Sequence, residues 1–215
     1  MIGAQKKVEE FFDQYVKRSY PKGQIIIIAG ETPRYIFYLK RGRVRKYAIS
    51  YSGDEIIVNQ YKPLAFFEVA WAVNKKPSEY FFKTEKACEV RVAPLDDVLK
   101  FLKNNPDVML DLLSRVYRGI DGILGRLVYL MSGNAKDRLM YEILIEAKRF
   151  GKKQSNGQIK LDVTEADMAA RSGLSRETVC RELQNIKKEG FVLTAAKSIV
   201  IKDITSIENK LAKEF

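Results

Sequence analysis

The stretch from Leu174 to Gly190 constrains the fold more than any other part of this 215-residue chain. Ser175 is a favoured helix N-cap, Gly190 is a favoured residue just beyond a helix end, and nothing between them breaks a helix. Three apolar residues fall within about 60° of one another at about 100° per residue: Val179, Leu183 and Ile186. The pattern predicts an amphipathic helix with one face in a core and a charged face directed outward.

A second short helix is predicted directly upstream, over residues 164–172. Thr164 is a good N-cap, and Asp167 stands three residues later, which is the spacing of a capping box. Gly173 supplies the glycine that commonly forms the bend between two such helices. Two short helices at this spacing, with polar side chains at the start of the second, are typical of a helix-turn-helix that enters the major groove of DNA.

The segment 173–181, with residues 164–169 before it and 189–192 after it, resembles the winged helix of the CRP/FNR family, the catabolite activator protein and its relatives. The resemblance implies that Arg176 and Arg181 face guanines and that Glu177 faces a cytosine of a TGTGA-like half-site. The chemistry agrees, because Arg donates bidentately to guanine O6 and N7 and a carboxylate accepts from cytosine N4. The alternative is a set of solvated charges on an ordinary amphipathic helix.

Charge and composition favour a folded protein with a polyanionic partner. The chain is 46% apolar and 30% charged, with a formal charge of +11. Basic residues outnumber acidic ones by 22 to 15 through residue 133 and by 16 to 12 after it. The positive excess therefore supports DNA binding without locating it.

The absence of histidine excludes many enzyme and metal classes: His-based catalytic triads, His-ligated haem and histidine metal sites. Cys88 and Cys180 form no spaced ligand set, so we predict no enzymatic activity, no metal and no cofactor. Neither a signal peptide nor an apolar run near 18 residues is found, so we expect a cytoplasmic protein without a membrane partner. Cys180 beside the reading residues is either a redox-sensitive thiol or a small side chain tolerated beside the groove.

The N-terminal half predicts a short helix followed by a β-rich domain. Five residues fall on one face of the helix: Val8, Phe11, Phe12, Tyr15 and Val16. Short β-branched and aromatic segments separated by Gly and Pro follow at 24–29, 35–40, 44–50, 55–61, 80–84 and 88–93. Many short strands at this spacing predict a sandwich or jelly roll.

This region carries weaker marks of the same family. The hairpin at 36–44 around Gly42, the turn at 53–55 and the strand at 89–96 resemble its cyclic-nucleotide-binding β-roll. The whole resemblance implies an α+β protein with an N-terminal β-roll, a long dimerisation helix and a C-terminal winged helix-turn-helix.

The ligand cassette departs from the family pattern. Phe67 stands where the glycine of a Gly-Glu pair is expected, and Glu79 falls near the position of the phosphate-binding arginine. A carboxylate cannot clamp a phosphodiester, so we do not expect cyclic AMP or GMP to be the effector. Lys75 or Lys76 is the alternative source of a displaced cation.

Aromatic residues dominate the remaining pocket candidates. We expect all six to fill the core of the roll, as aromatic residues in strands usually do: Phe66, Phe67, Trp71, Tyr80, Phe81 and Phe82. The alternative is a pocket for an apolar or aromatic metabolite, an effector that the sequence does not identify. Its candidate residues are Phe67, Glu68, Trp71 and Tyr80.

A helix from Pro106 to Met131 would be about 39 Å long. Its apolar residues step by four and three and form what we call the apolar seam: Met109, Leu113, Val116, Ile120, Ile123, Leu127 and Leu130. The seam predicts a coiled coil and hence a homodimer, whose two reading helices would meet half-sites about 34 Å apart in a palindrome. The alternative is a long core-packing helix in a monomer.

Gly119, Gly122 and Gly125 interrupt the long helix, each at a cost of about 1 kcal/mol relative to Ala. They indicate either close approach of another backbone or, as a hypothesis, a weak segment that couples the sensor to the reading helices.

The break at residues 132–134 suggests three parts: a sensor domain at 1–105, a dimerisation helix and hinge at 106–133, and a DNA-binding domain at 134–215. In the last part we predict a helix around Ile143, a hairpin at Asn156-Gly157 and a wing with Lys197 at its tip. Candidate phosphate contacts are Thr164, Ser175 and Lys197, and Thr178 completes the predicted DNA-binding set.

These expectations describe a homodimeric transcription regulator that would act on double-stranded DNA and with RNA polymerase. Three other functions are alternatives: a metal-dependent cupin-type enzyme, a cyclic-nucleotide- or metabolite-responsive activator of the same fold, and an interaction protein that has lost DNA binding. The first needs ligands that this histidine-free chain lacks. Phe67 and Glu79 disfavour a cyclic nucleotide, and the intact set of Arg176, Glu177 and Arg181 disfavours the third.

Overall fold

The computed structural model describes residues 2–74, 76–195 and 197–212, and the chain divides into two compact units, Met1–Tyr117 and Arg118–Phe215. The first unit contains eight strands among its described residues: β1 (Val16–Tyr20), β2 (Ile25–Ile27), β3 (Tyr35–Arg41), β4 (Val44–Ile49), β5 (Glu55–Tyr61), β6 (Phe66–Phe67), β7 (Phe81–Thr84) and β8 (Cys88–Pro94). Its helices are α1 (Ile2–Asp13), α2 (Val69–Asn74) and α3 (Leu95–Asn104), and α4 (Pro106–Ser132) begins in it.

The strands form two four-stranded antiparallel sheets, in the orders β1-β8-β3-β6 and β2-β7-β4-β5. Strand β3 shows how the two faces are used. Phe37 and Leu39 pack in a cluster with residues of the other sheet, whereas Ile36 and Tyr38 pack with residues of α1 and α3. The alternation follows from the two-residue period of a strand. The predicted β-roll is therefore confirmed as a sandwich with helices on its outer face.

The first predicted helix is shorter than expected. It ends at Asp13, and Val16, which was assigned to its apolar face, is the first residue of β1 and is 66% exposed. Val16 pairs with Val92 of β8 and the register continues to Tyr20 opposite Cys88. Pairing with a distant strand therefore ends the helical pattern that local periodicity predicts.

The second unit continues with α5 (Ala135–Phe150), β9 (Lys152–Lys153), β10 (Ile159–Leu161), α6 (Glu165–Ser172), α7 (Arg176–Lys188), β11 (Val192–Ala195), β12 (Ser198–Ile201) and α8 (Ile204–Ala212). The four strands form one antiparallel sheet in the order β11-β12-β10-β9. One apolar cluster joins α5, α6, α7, α8 and this sheet, and Met140, Ile143, Met168, Val179 and Ile186 are fully buried in it. The helices and the wing predicted from the sequence are all present.

Helix α4 is a single 27-residue helix, and the division between the two units falls within it, at Tyr117 and Arg118. All seven residues of the apolar seam are exposed in the single chain, from 38% for Leu130 to 54% for Ile123. Within the described residues, no helix combines the length and the apolar character needed to cross a bilayer. The three-part division at residues 105 and 133 stays a prediction.

The three glycines of α4 differ in their surroundings. A Cβ added at Gly119 or Gly122 would meet no atom within 4 Å, whereas one at Gly125 would lie 2.0 Å from the hydroxyl of Tyr141 and 2.8 Å from its Cζ. Tyr141 is itself stacked on Tyr129 with ring centroids 4.5 Å apart. Gly125 is therefore required for packing, and the hypothesis of a weak segment applies only to the other two glycines.

We therefore expect Gly125→Ala to destabilise the second unit by about 1–3 kcal/mol, the usual cost of overpacking. Gly119→Ala and Gly122→Ala should instead stabilise α4 by about 0.5–1 kcal/mol each. Tyr141→Phe should recover part of the Gly125→Ala loss, because it removes the atom in closest contact. Hydrogen exchange of α4 and α5 measures these effects, and equal protection in Gly125→Ala and Gly122→Ala would contradict the assignment.

Candidate DNA-binding surface

Helix α7 presents a charged face because its other face is anchored in the core. Val179, Leu183 and Ile186 are at most 2% exposed, as the sequence predicts. Ser175 is the N-cap, and its hydroxyl accepts a hydrogen bond from the Thr178 amide at 3.1 Å. Arg176, Glu177 and Arg181 are all exposed. At about 100° per residue, Glu177 and Arg181 lie opposite the buried face and Arg176 lies at its edge. The three predicted base-reading side chains are therefore all accessible in the first half of α7.

The turn before α7 is fixed by local hydrogen bonds. The Asp167 amide donates to the Thr164 hydroxyl at 3.1 Å, and the Thr164 amide donates to the Asp167 carboxylate at 2.9 Å. This is the reciprocal capping box that the sequence predicts. Gly173 then adopts φ +66°, a left-handed conformation that glycine enters without strain. The capping box and the left-handed conformation of Gly173 thus define the turn between α6 and α7.

The Thr164 and Ser175 hydroxyls are both engaged in these caps. Thr164 donates its hydroxyl proton to Asp167 at 2.7 Å, and Ser175 donates to the Thr178 hydroxyl at 3.0 Å. A phosphate contact by either hydroxyl would therefore compete with the cap that holds its helix.

A buried ion pair holds α6 against α5. Arg171 donates through Nη1 to a carboxylate oxygen of Glu146, and their side chains are only 4% and 2% exposed. The sequence analysis missed this pair because both residues look like solvated charges on amphipathic helices. The available signal was that Glu146 falls between Ile143 and Ala147, two buried residues of α5. Burial of a charge is tolerated only when it is paired.

The wing completes the surface on the other side of α7. Strands β11 and β12 pair from Val192 opposite Ile201 to Ala195 opposite Ser198. Ala196 lies outside the described residues, and Lys197, the next residue in the sequence, is exposed. A groove of about 470 Å³ separates the wing from the start of α6 and is lined by Thr164, Arg176, Thr194 and Ser198, among others. Arg176 and Thr164 are therefore brought together, whereas Lys197 lies outside the lining of this groove.

Cys180 is a free, exposed cysteine on the same side of α7 as the reading residues. It follows Arg176 by four residues, one helical turn, so its thiol lies next to the charged set. The other cysteine, Cys88, is buried, and burial raises the pKa of its thiol. Of the two cysteines, only Cys180 lies on the helix that carries the predicted reading residues.

The four candidate pocket residues of the β-roll fall into different environments. Phe67 is 2% exposed and is stacked between Phe37 and Phe82, at centroid distances of 5.5 and 5.4 Å. Tyr80 packs against that same aromatic cluster, whereas Trp71 packs in the second cluster with α1 and α3. Phe67 therefore fills the space between the sheets.

Glu68 is the one candidate with strained geometry. It is 6% exposed and has φ +71°, a conformation that non-glycine residues rarely adopt and that is concentrated at functional sites. Burial raises the pKa of its carboxyl group, while the charge of Lys46 acts in the opposite direction. Glu79, the residue near the expected arginine position, is exposed.

Lys46 is a cation that the sequence analysis missed. Its Nζ lies 4.4 Å from the Tyr80 ring centroid and 5.4 Å from that of Phe82, and burial lowers the pKa of its ammonium group. The β4–β5 register shifts between Lys46 and Tyr47, and such a bulge changes the direction of a side chain. Of the two cations proposed earlier, Lys76 is exposed and Lys75 lies outside the described residues.

Two family models match separate parts of the chain. A model described as "Cyclic nucleotide-binding domain" matches residues 17–105, and one described as "Crp-like helix-turn-helix domain" matches residues 137–209. The chain is 26% identical over 196 residues to the fumarate and nitrate reduction regulatory protein of Escherichia coli strain K12, covering 89% of this chain and 77% of that protein.

Solved structures share the fold. The c-di-GMP-responsive global regulator CLP of Xanthomonas campestris has a TM-score of 0.80 at 17% identity, with coverage of 92% of this chain and 99% of that one. A CooA mutant from Carboxydothermus hydrogenoformans has a TM-score of 0.77 at 19% identity, with coverage of 94% and 90%. The chain thus carries a cyclic-nucleotide-binding-type β-roll followed by a Crp-like helix-turn-helix. Its relatives are regulators that match it along most of its length. The chain is homologous to transcription regulators of the CRP/FNR family.

Proposed function

We propose that the chain binds a palindromic, TGTGA-like operator as a homodimer, with α7 in the major groove. Arg176 and Arg181 face guanines and Glu177 faces a cytosine. The observation that carries the proposal is that all three side chains are exposed on a helix whose core-facing residues are fully buried. Base readout requires donors and acceptors that project from an anchored helix. Arg supplies donors for guanine, and a carboxylate supplies an acceptor for cytosine N4.

The dimer part of the proposal rests on α4. Seven apolar side chains spaced by four and three residues are 38–54% exposed in the single chain, and such a stripe is costly in water. A second copy of the same helix covers the stripe by coiled-coil packing. The two-fold axis that results requires two inverted half-sites about 34 Å apart.

Phosphate contacts position the helix without reading sequence. We assign Lys197 on the wing and Thr178 at the start of α7 to this role, with Thr164 and Ser175 acting through the helix starts that they cap. RNA polymerase is the partner through which such a regulator would act.

The effector is not cyclic AMP in this proposal. Phe67 fills the space between the sheets, and Glu79 offers no cation for a phosphodiester. A second candidate function, response to another small metabolite, is favoured by the strained and buried Glu68 with Lys46 near it. A metabolite there would need an acceptor or anionic group for Lys46 and a donor for Glu68.

Selection of bound sequences from a random duplex library tests the operator. The purified full chain should enrich inverted repeats whose half-sites contain guanines at two positions, with centres one helical turn apart. Selection with and without cyclic AMP should give the same sequences and yields. Enrichment of single half-sites, or of direct repeats, would contradict the two-fold dimer.

A further inference from the structure

The guanidinium group of Arg181 is held at one end and open at the other. Its Nε donates to the Glu182 Oε1 at 3.1 Å. The side chain of Arg181 is 67% exposed, whereas that of Glu182 is only 12% exposed. The described residues provide no hydrogen-bond partner for the two terminal amino groups of Arg181, so these groups extend from the helix surface towards solvent.

Glu182 is in turn fixed from its other oxygen. Asn185, one turn further along α7, donates through Nδ2 to the Glu182 Oε2 at 3.0 Å. The Asn185 hydrogen bond is the largest cause that lowers the pKa of the Glu182 carboxyl group. Burial acts in the opposite direction, and the hydrogen bond and charge of Arg181 and the charge of Lys136 lower the pKa further. Both carboxylate oxygens are thus committed, one to hold Glu182 and the other to hold Arg181.

This arrangement selects one way of reading a base. Arginine can meet guanine O6 and N7 with its two terminal amino groups or with Nε and one amino group, and an occupied Nε leaves only the first. A free arginine side chain carries about 2 kcal/mol of rotamer entropy, and prior fixation reduces what is lost on binding. We propose that Glu182 is a positioning residue that orients Arg181 for end-on readout of its guanine; this rests on the proposed role of Arg181.

Charge alone would give Glu182 the opposite effect. A carboxylate close to DNA repels phosphates, so its removal should strengthen binding to any duplex. Positioning instead predicts that removal weakens discrimination between the operator and other sequences. The ratio of the two affinities therefore separates the positioning role from simple electrostatics.

The test uses the full chain with Glu182→Ala, Glu182→Gln, Arg181→Ala and the double variant Arg181→Ala/Glu182→Ala. Affinities are measured at one salt concentration for the selected operator, for an operator with the Arg181 guanine pair replaced, and for a scrambled duplex. Glu182→Ala should tighten scrambled binding while lowering the preference for the guanine about 2–10-fold per half-site, the range expected for releasing one ordered side chain.

Glu182→Gln keeps an acceptor for Arg181 but loses the charge, so it should retain most of the preference. In the Arg181→Ala background, Glu182→Ala should leave the preference unchanged.

Glu189→Gln is the matched control, because Glu189 also lies at α7 and pairs with Lys136 at 2.5 Å but does not contact Arg181. It should change affinity for all duplexes alike. Thermal unfolding of each variant verifies that the unit remains folded.

The outcomes distinguish the two levels of the proposal. If Arg181→Ala leaves the guanine preference intact, the assigned role of Arg181 fails and the positioning role fails with it. If Arg181→Ala abolishes the preference while Glu182→Ala preserves it in a folded protein, the role of Arg181 stands and the positioning role is overturned.

Discussion

Replacing Arg176 or Arg181 by Ala is expected to remove most of the sequence preference while weakening the binding to unrelated DNA much less. A bidentate arginine–guanine pair contributes about 1–3 kcal/mol of discrimination, and a homodimer loses it twice. The operator affinity should therefore fall by about 2–6 kcal/mol, or about 30-fold to 10⁴-fold. Both side chains are exposed, so folding should be preserved.

Lys197→Ala is the matched control for these arginines. A wing lysine that contacts phosphate should weaken binding to operator and scrambled duplexes by the same factor and reduce the salt dependence. Equal losses on both duplexes in Arg176→Ala and Arg181→Ala would assign those arginines to the phosphates instead. Competition titrations at two salt concentrations provide both quantities.

Breaking the buried ion pair between α5 and α6 should have the largest effect on stability. Glu146→Ala leaves the Arg171 guanidinium in a site where its side chain is 4% exposed, and an uncompensated buried charge costs about 3–5 kcal/mol. Hydrogen exchange of α5 and α6 should accelerate, and specific DNA binding should fall because the turn before α7 is no longer supported. The double variant Glu146→Leu/Arg171→Met should recover most of the stability, since the buried charge is then gone.

The pair between Lys148 and Glu208 is the control, because it joins α5 to α8 at the surface with side chains 51% and 39% exposed. Glu208→Ala should cost less than about 1 kcal/mol. Similar losses for Glu146→Ala and Glu208→Ala would contradict the role given to burial.

Local rules explain why the helix-turn-helix could be predicted almost to the residue. The Thr164 capping box, the Gly173 bend and the Ser175 cap each depend on residues within a few positions of one another, and each is present. The glycines of α4 show the opposite case. Their sequence context is similar, but only Gly125 meets Tyr141, a contact set by how α4 packs on α5.

The β-roll was predicted less completely because its details depend on strand pairing. Strand β1 forms because it pairs with β8. The direction of the Lys46 side chain depends on a bulge that forms only when β4 pairs with β5. Sequence patterns grouped Phe67 with Trp71 as pocket candidates, yet the two belong to different clusters. The strain at Glu68 is likewise a product of the folded chain.

The most direct test of the central claim is the affinity of the purified chain, without added ligand, for a duplex with two inverted TGTGA half-sites one turn apart. The comparison is a scrambled duplex of equal length, and both are measured at two salt concentrations. The palindrome should bind at least about 10³-fold more tightly, the lower end for specific regulators. Equal affinity for the two duplexes, with the same steep salt dependence, would leave only phosphate attraction and would contradict base readout of this operator by Arg176, Glu177 and Arg181.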